Sequence, residues 1–367
     1  MEKNLHVELS PDKLSENKEE FKRFLSAINS IEEYSSKELK IIDKMEKDFQ
    51  KIEEKYSSKL PLNFKERITK LKQCISHNQN ILNNLIKKYK PPERYYKDIN
   101  LDDMKNSIIE EGKFIYDVFS LIVRDWSKER RKEREENYNI IINEILKYFP
   151  CSNNKSMKYK FLIPGSGLNR LGYELYKLGY DIEANELLYL NGMFSDYIFN
   201  YTKKDELSLY PNIGSFSNIW NEESVFRKYV VPEIDINLKN SKNNGNFNLI
   251  IGDFTYLYYN KKDCFDCIIT SHFLDTAQNI IEYVEIIYNL LKKGGIWINL
   301  GPLSYHWSKF PDYLSIELPY DKLKEVICNY GFEYINESFK KCTYGYIDDY
   351  MHNDFYTCIF LTVKKIK

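Results

Sequence analysis

Several short segments carry side chains whose types and spacing could hold a nucleoside-bearing ligand. Phe161-Leu162-Ile163 runs straight into Pro164-Gly165-Ser166-Gly167. Glycines after a first strand let the backbone approach a ligand closely, and the helix N-terminus that follows offers unpaired N–H groups to an anionic group. Glu186 comes about 20 residues later, behind a second strand candidate, where a carboxylate can accept hydrogen bonds from both hydroxyls of an adenosine ribose. Gly252-Asp253-Phe254 closes a further strand candidate and puts a carboxylate and an aromatic ring where an adenine could be bonded and stacked. Leu290-Leu291-Lys292-Lys293-Gly294-Gly295 ends a helical pattern in glycines, which is the signature of a helix cap. A dinucleotide fingerprint sets its third glycine three residues after the second, whereas Gly172 comes five after Gly167, so NAD is disfavoured.

The elements that must position these residues alternate. Lys160 to Ile163, Tyr180 to Ala184, Asn248 to Ile251, Cys267 to Thr270, Ile296 to Leu300 and Cys358 to Val363 read as strands. Helical patterns at Leu168 to Leu178 and Ile280 to Leu291 separate several of them, which predicts parallel pairing and a doubly wound α/β domain over residues 151–367. Residues 1–150 read as a helical region instead. Phe21 to Tyr56 carries apolar residues at helical spacing, as does Ile68 to Tyr89, which stops at Pro91-Pro92, so two long antiparallel helices are expected. A third pattern, Ile108 to Trp126, runs into the charge-dense stretch Ser127 to Glu136, read as a solvated helix face. Lys239 to Asn246, rich in Asn and Lys, reads as a surface loop.

Composition narrows the function classes. The 367 residues suffice for one large domain or two ordinary ones, and 53 basic against 54 acidic residues give a net charge of −1, without the global footprint of a nucleic-acid binder. Hydrophobic residues at 43% exclude a mostly disordered chain, and no apolar run approaches the roughly 20 residues of a membrane span. The charged start Met1-Glu2-Lys3-Asn4 leads into no apolar signal core, and seven cysteines spread thinly do not form a disulfide framework. Both predict a cytoplasmic protein, with the nucleus as a second compartment. Cys264 and Cys267 have metal-like spacing but no second pair, so they are assigned to packing and no metal site is expected.

Glycine loop, ribose acid, Asp-Phe and helix-Gly-Gly-strand stand in the order found in class I S-adenosylmethionine methyltransferases. At finer grain the chain resembles the carnosine N-methyltransferase family, which methylates a histidine imidazole. The matching residues are Val123-Arg124-Asp125-Trp126-Ser127, Ile163 to Leu171, Gly179-Tyr180, Asn185-Glu186, Gly252-Asp253-Phe254, Asp275-Thr276-Ala277, Gly294 to Leu303 and Tyr305-His306. The resemblance implies a Rossmann-like methyltransferase sheet, S-adenosylmethionine as cofactor and a homodimer. By the same resemblance Arg124, on the last helix of the N-terminal region, pairs with the methionine carboxylate. Gly165 and Gly167 line the cofactor, Glu186 holds the ribose, and Asp253 with Phe254 binds the adenine. Asp275, His306, Tyr344 and Tyr356 fall where the family contacts the imidazole dipeptide. Two departures stand out: Leu121 replaces a Gln, and Pro211-Asn212-Ile213-Gly214-Ser215-Phe216-Ser217-Asn218 replaces a segment bearing Trp, His and Gln.

The chemistry is consistent with these residue types. A neutral imidazole presents a lone pair on one ring nitrogen only, so a carboxylate that accepts the proton of the other aims the nucleophilic nitrogen at the methyl group. Asp275 is the candidate, and it would also stabilise the imidazolium that develops. A histidine in a peptide or protein offers the same ring on a larger carrier. A non-catalytic helical scaffold with a degenerate methyltransferase domain is the alternative from another class.

Overall fold

The computed structural model describes residues 5–9, 11–59, 64–97, 115–150, 158–236, 238, 245–345 and 350–367. The helices run α1 (Pro11–Leu14), α2 (Lys18–Tyr56), α3 (Phe64–Tyr89), α4 (Ile115–Trp126), α5 (Arg131–Tyr148), α6 (Arg170–Lys177), α7 (Tyr189–Tyr201), α8 (Glu222–Val225), α9 (Phe254–Tyr258), α10 (Ile280–Leu290) and α11 (Tyr320–Tyr330). The strands run β1 (His6–Val7), β2 (Lys160–Pro164), β3 (Asp181–Glu186), β4 (Leu207–Leu209), β5 (Tyr229–Val231), β6 (Phe247–Ile251), β7 (Phe265–Ser271), β8 (Leu291–Gly301), β9 (Phe332–Tyr344) and β10 (Asp354–Lys365).

Asn17 starts α2 by accepting the N–H groups of Glu19 and Glu20 on its side-chain oxygen at 3.1 and 3.3 Å, satisfying two of the orphan donors of the first turn. Phe21, Phe24, Leu25, Ile28 and Ile31 then bury one face of the helix. α2 and α3 form the expected antiparallel pair: Phe49 stacks on Phe64 near their connection, Ser35 bonds Gln79, and Glu32 meets Lys90 at the far end. The expected third helix is described from Ile115 onward, and Ile108 lies outside the described residues. Of the expected 239–246 loop only residues 245 and 246 are described, and they belong to no helix or strand.

All six expected strands form. They belong to one eight-stranded sheet of order β1-β6-β3-β2-β7-β8-β10-β9, parallel except for β10, which runs antiparallel to β8 and β9. The order reverses between β2 and β7, and in an open parallel sheet the crevice beyond the strand ends at that reversal is where ligands bind. One hydrophobic cluster runs from Phe24 and Leu71 through Phe119 and Trp126 to Phe161, Ile163 and Phe194, so the N-terminal helices share a core with one face of the sheet. Ile287, Leu290, Trp297, Leu323 and Ile327 pack α10 and α11 on the other.

The charge-dense stretch departs from its reading as a solvated face. Arg131, Lys132, Glu135 and Glu136 are exposed, but Arg130, Glu133, Arg134 and Asn137 are buried. Arg134 donates to the carbonyls of Arg124 and Ser127 at 2.7 Å each and pairs with Glu233, which also takes Arg131 and Arg170. Charges can be buried here because each has an opposite partner and carbonyl acceptors, and removing one member of such a group leaves an uncompensated charge costing about 3 to 5 kcal/mol. Cys267 is fully buried in β7, and among the described residues no cluster of His, Cys, Asp or Glu could hold a metal ion. No described helix is long and apolar enough to cross a membrane.

Candidate functional site

A cavity of about 1620 Å³ opens along the crevice at the reversal. Its floor is the turn after β2. Gly165 and Gly167 adopt the left-handed conformation, with φ of 63° and 56°. A Cβ on Gly165 would fall 2.5 Å from the Phe273 ring, so the turn needs glycine both for its backbone and for this approach. The N–H of Ser166 bonds the Asn185 carbonyl at 2.9 Å, tying the turn to the end of β3.

Glu186, the last residue of β3, is buried with its carboxylate turned back into the turn. Oε2 accepts the Gly167 N–H at 2.8 Å, and Oε1 accepts those of Leu187 and Leu188 at 2.9 Å each. Burial pushes its carboxyl above the usual range, and the N–H groups of Leu188, Gly167 and Leu187 together with the Asn191 side chain work against that shift. Arg124 reaches the same place from the last turn of α4. Its Nε donates to Oδ1 of the fully buried Asp125 at 2.8 Å, its guanidinium lies 5.5 Å from the Tyr344 ring centre, and a Cβ on Gly167 would sit 3.7 Å from its Nη2. Burial opposes the charge of Arg124, but Asp125, together with Tyr138 and Tyr344, outweighs it and keeps the guanidinium protonated. Trp126, fully buried, donates to the Leu168 carbonyl at 3.1 Å and seats α4 against the turn.

Beyond β6, Asp253 caps α9 by accepting the N–H groups of Thr255 and Tyr256 on Oδ1 at 2.8 and 3.1 Å. Phe254 is buried edge-on against Phe273 and Tyr283, at 5.4 and 5.2 Å between ring centres. Both line the cavity.

The other end of the cavity is built where β7 and β8 stop. After β7 the chain runs through His272 to a single tight turn, Leu274–Thr276, that holds Asp275. Asp275 Oδ2 accepts the Ser304 N–H at 2.9 Å, and its carbonyl accepts the His306 N–H at 3.1 Å, so the segment after β8 is fastened directly to it. Burial pushes the Asp275 carboxyl up, opposed by the Ser304 N–H and by His306. From the β9–β10 hairpin Tyr344 and Tyr356 come together at 6.4 Å, and burial, with Asp275 among the nearby charges, raises the Tyr356 phenol. The sequence-predicted residues therefore converge, with one distinction: His306 and Tyr344 line the cavity, whereas the buried Asp275 and the half-exposed Tyr356 do not.

His272 escaped the sequence reading. It lines the cavity with φ of 51°, its ring centre is 5.0 Å from that of Tyr344, and its Nε2 is 3.7 Å from the Cys358 sulfur. Burial, helped by the charge of Arg124, lowers its pKa to about 4, so the ring is neutral at neutral pH. Its only sequence signal is a polar residue directly after an apolar strand. Tyr138 was missed as well; it donates to Asp125 at 2.8 Å and so braces the partner of Arg124. Leu121, one of the two departures, is in the cavity wall. The other departure lies apart from it, since Asn212, Gly214 and Ser215 line a separate cavity of about 400 Å³.

The sequence model of the carnosine N-methyltransferase family matches residues 102–367. The chain belongs to this family. Carnosine N-methyltransferase of Mus musculus is 34% identical over 94% of this chain and 86% of its own length. That of Schizosaccharomyces pombe is 30% identical over 77% of this chain and 78% of its own. Among solved structures, TehB of Haemophilus influenzae aligns with a TM-score of 0.37 and 16% identity over 64% of this chain and 67% of that one.

Proposed function

We propose that this carnosine N-methyltransferase family member transfers a methyl group from S-adenosylmethionine to an imidazole nitrogen of carnosine. The observation that carries the reading is one cavity in which a glycine turn, a buried Glu186 and Arg124 face His306 and Tyr344. The residues fit the cofactor. The Gly165 turn is a backbone cradle that a Cβ would fill, and among the described residues Ser166 Oγ and Asn191 Oδ1 are buried polar atoms without a partner beside it. When bound, S-adenosylmethionine supplies a methyl group on a sulfonium that is a good leaving group.

In this proposal Arg124 pairs with the methionine carboxylate and Glu186 takes the ribose hydroxyls. Three backbone N–H groups already occupy the Glu186 carboxylate, which has about four acceptor sites, so two hydroxyls must displace at least one of them. Gly165 and Gly167 form the floor, and Asp253 and Phe254 bound the adenine.

Asp275 has Oδ2 fixed by Ser304 and does not itself line the cavity. In this proposal the Ser304–His306 wall beside it must therefore yield for Oδ1 to take the ring N–H of the acceptor, which would select the tautomer and offset the positive charge that develops. His306, Tyr344 and Tyr356 hold the rest of the dipeptide. The described part of residues 1–150 is helical apart from β1, which joins the sheet, and α4, which α5 follows, takes the place expected of the last helix in completing the cofactor site; residues 151–367 are the methyltransferase domain of this proposal. A cytoplasmic homodimer belongs to the same proposal. The test offers labelled S-adenosylmethionine with carnosine, with free histidine and with a pool of histidine-containing peptides. Label is expected on carnosine; label on the peptides alone would move the acceptor to a larger carrier, and no cofactor binding by calorimetry would end the reading.

A further inference from the structure

The segment before the family match also reaches the cavity. β1 pairs with β6 in parallel, His6 opposite Asn248 and Val7 opposite Leu249, and Leu5 is fixed by two bonds to the Asn200 side chain, at 2.9 and 3.0 Å. A parallel strand leaves the sheet on the edge where β6 ends, which is the edge where the cavity opens. There α2 begins, and its first turns are clamped onto the exit of β3. Arg23 Nη2 donates to the Leu187 carbonyl at 2.7 Å, and Nη1 donates to Glu20 Oε1 at 2.8 Å. Glu20 Oε2 in turn accepts the Tyr189 hydroxyl at 2.8 Å. Glu19, Lys22 and Arg23 line the cavity.

One peptide group links this clamp to the ligand site. The carbonyl that Arg23 holds belongs to the Leu187–Leu188 peptide, and the N–H of that same peptide, at Leu188, donates to Glu186 Oε1 at 2.9 Å. A cation on the carbonyl fixes the plane of the peptide and polarises its N–H, and hydrogen bonds arranged in series strengthen one another. We propose that Arg23 is a positioning residue of the cofactor site: through the Leu187–Leu188 peptide it sets the Glu186 carboxylate, and the first turns of α2 form a wall of the adenosine half of the cavity. The proposal rests on the reading of Glu186 as the ribose acid, and it gives the N-terminal helix a part in cofactor affinity.

Calorimetry with S-adenosylhomocysteine on the full chain tests it. Arg23→Met keeps an unbranched aliphatic side chain but loses both donors and the guanidinium that lies 5.9 Å from the Tyr189 ring centre, and it should raise Kd about tenfold, the scale of a charge-assisted hydrogen bond. Arg23→Lys should recover most of that loss. At saturating S-adenosylmethionine kcat should stay within about twofold of wild type and KM for the imidazole dipeptide should not move, because only cofactor affinity is affected. In a Glu186→Ala background Arg23→Met should cost little further affinity, since its effect passes through that carboxylate. An unchanged Kd in Arg23→Met, or the same tenfold loss with Glu186 absent, overturns the proposal. Should Arg23→Met fail to fold, Glu20→Gln, which weakens the hold on Nη1, should raise Kd about threefold, and an unchanged value there overturns it equally. A wild-type chain that binds no S-adenosylhomocysteine would instead end the cofactor reading itself.

Discussion

Replacing His272 by phenylalanine should remove a specific dependence of stability on pH. The buried ring lies beside Tyr344 of β9 and Cys358 of β10, and the charge of Arg124, whose guanidinium is 5.5 Å from the same Tyr344 ring centre, acts on it. Its folded pKa is lowered from 6.5 to about 4, by burial first and by Arg124 second. Because the folded value is depressed, acid protonates this histidine in the unfolded chain before it can in the folded one. The stability it permits is therefore complete above the unfolded pKa, declines as pH falls from about 6.5 towards about 4, and levels off below. Between about pH 7.5 and about pH 4.5 the loss attributable to this group is on the order of 2 to 3 kcal/mol. Urea unfolding of wild type and His272→Phe at both pH values isolates it, since other titrations cancel in the difference. The gap between the two proteins should shift by that amount in favour of the variant on acidification. A gap that is the same at both pH values would show that His272 titrates normally and that the site is wetter than its packing indicates. Neutrality also matters for the proposed chemistry, because a second cation beside Arg124 would repel the sulfonium and the imidazolium that forms.

Three further outcomes follow from the same geometry. Glu186→Ala should weaken S-adenosylmethionine by about 1.5 to 3 kcal/mol in calorimetry, since a carboxylate buried by the glycine turn loses its hydroxyl partners; wild-type affinity would leave Glu186 a purely structural anchor for Gly167. Arg124→Lys should also bind the cofactor at least about tenfold less well, because an ammonium lacks the fork that engages Asp125 and a ligand carboxylate together, and equal binding would remove Arg124 from the cofactor. Asp275→Asn should lower kcat on carnosine by about a hundredfold or more, with cofactor affinity nearly unchanged. Turnover at the wild-type rate would show that charge at this position does not act on the acceptor.

What was legible in the sequence and what was not have one physical cause. β2, β7 and β8 are central strands whose middles are buried on both faces, so each carries a short apolar run, Phe161-Leu162-Ile163, Cys267-Ile268-Ile269 and Ile296-Trp297-Ile298. β9 lies at the sheet edge and reads Glu-Tyr-Ile-Asn-Glu-Ser-Phe-Lys-Lys, where polar side chains discourage further pairing and hide the strand signal. α7 is buried nearly all round, so it lacks the one-sided period that marks a surface helix. The site divides in the same way. Gly165, Glu186 and Asp275 could be singled out beforehand because their order along the chain follows that of the family, and the structure adds that the turn at Gly165 has a positive φ and that Glu186 is bonded into the same turn through Gly167. Arg134 and Arg23 act on carbonyls, and any residue supplies a carbonyl. Arg23 meets Leu187 across 164 residues of chain, and nothing in the type of Leu187 announces it. A charged residue in a run is therefore ambiguous until its backbone partners are known. The buried half of the 127–136 stretch and the start of α2 were the two places where that ambiguity concealed side chains bound to the machinery around the cavity.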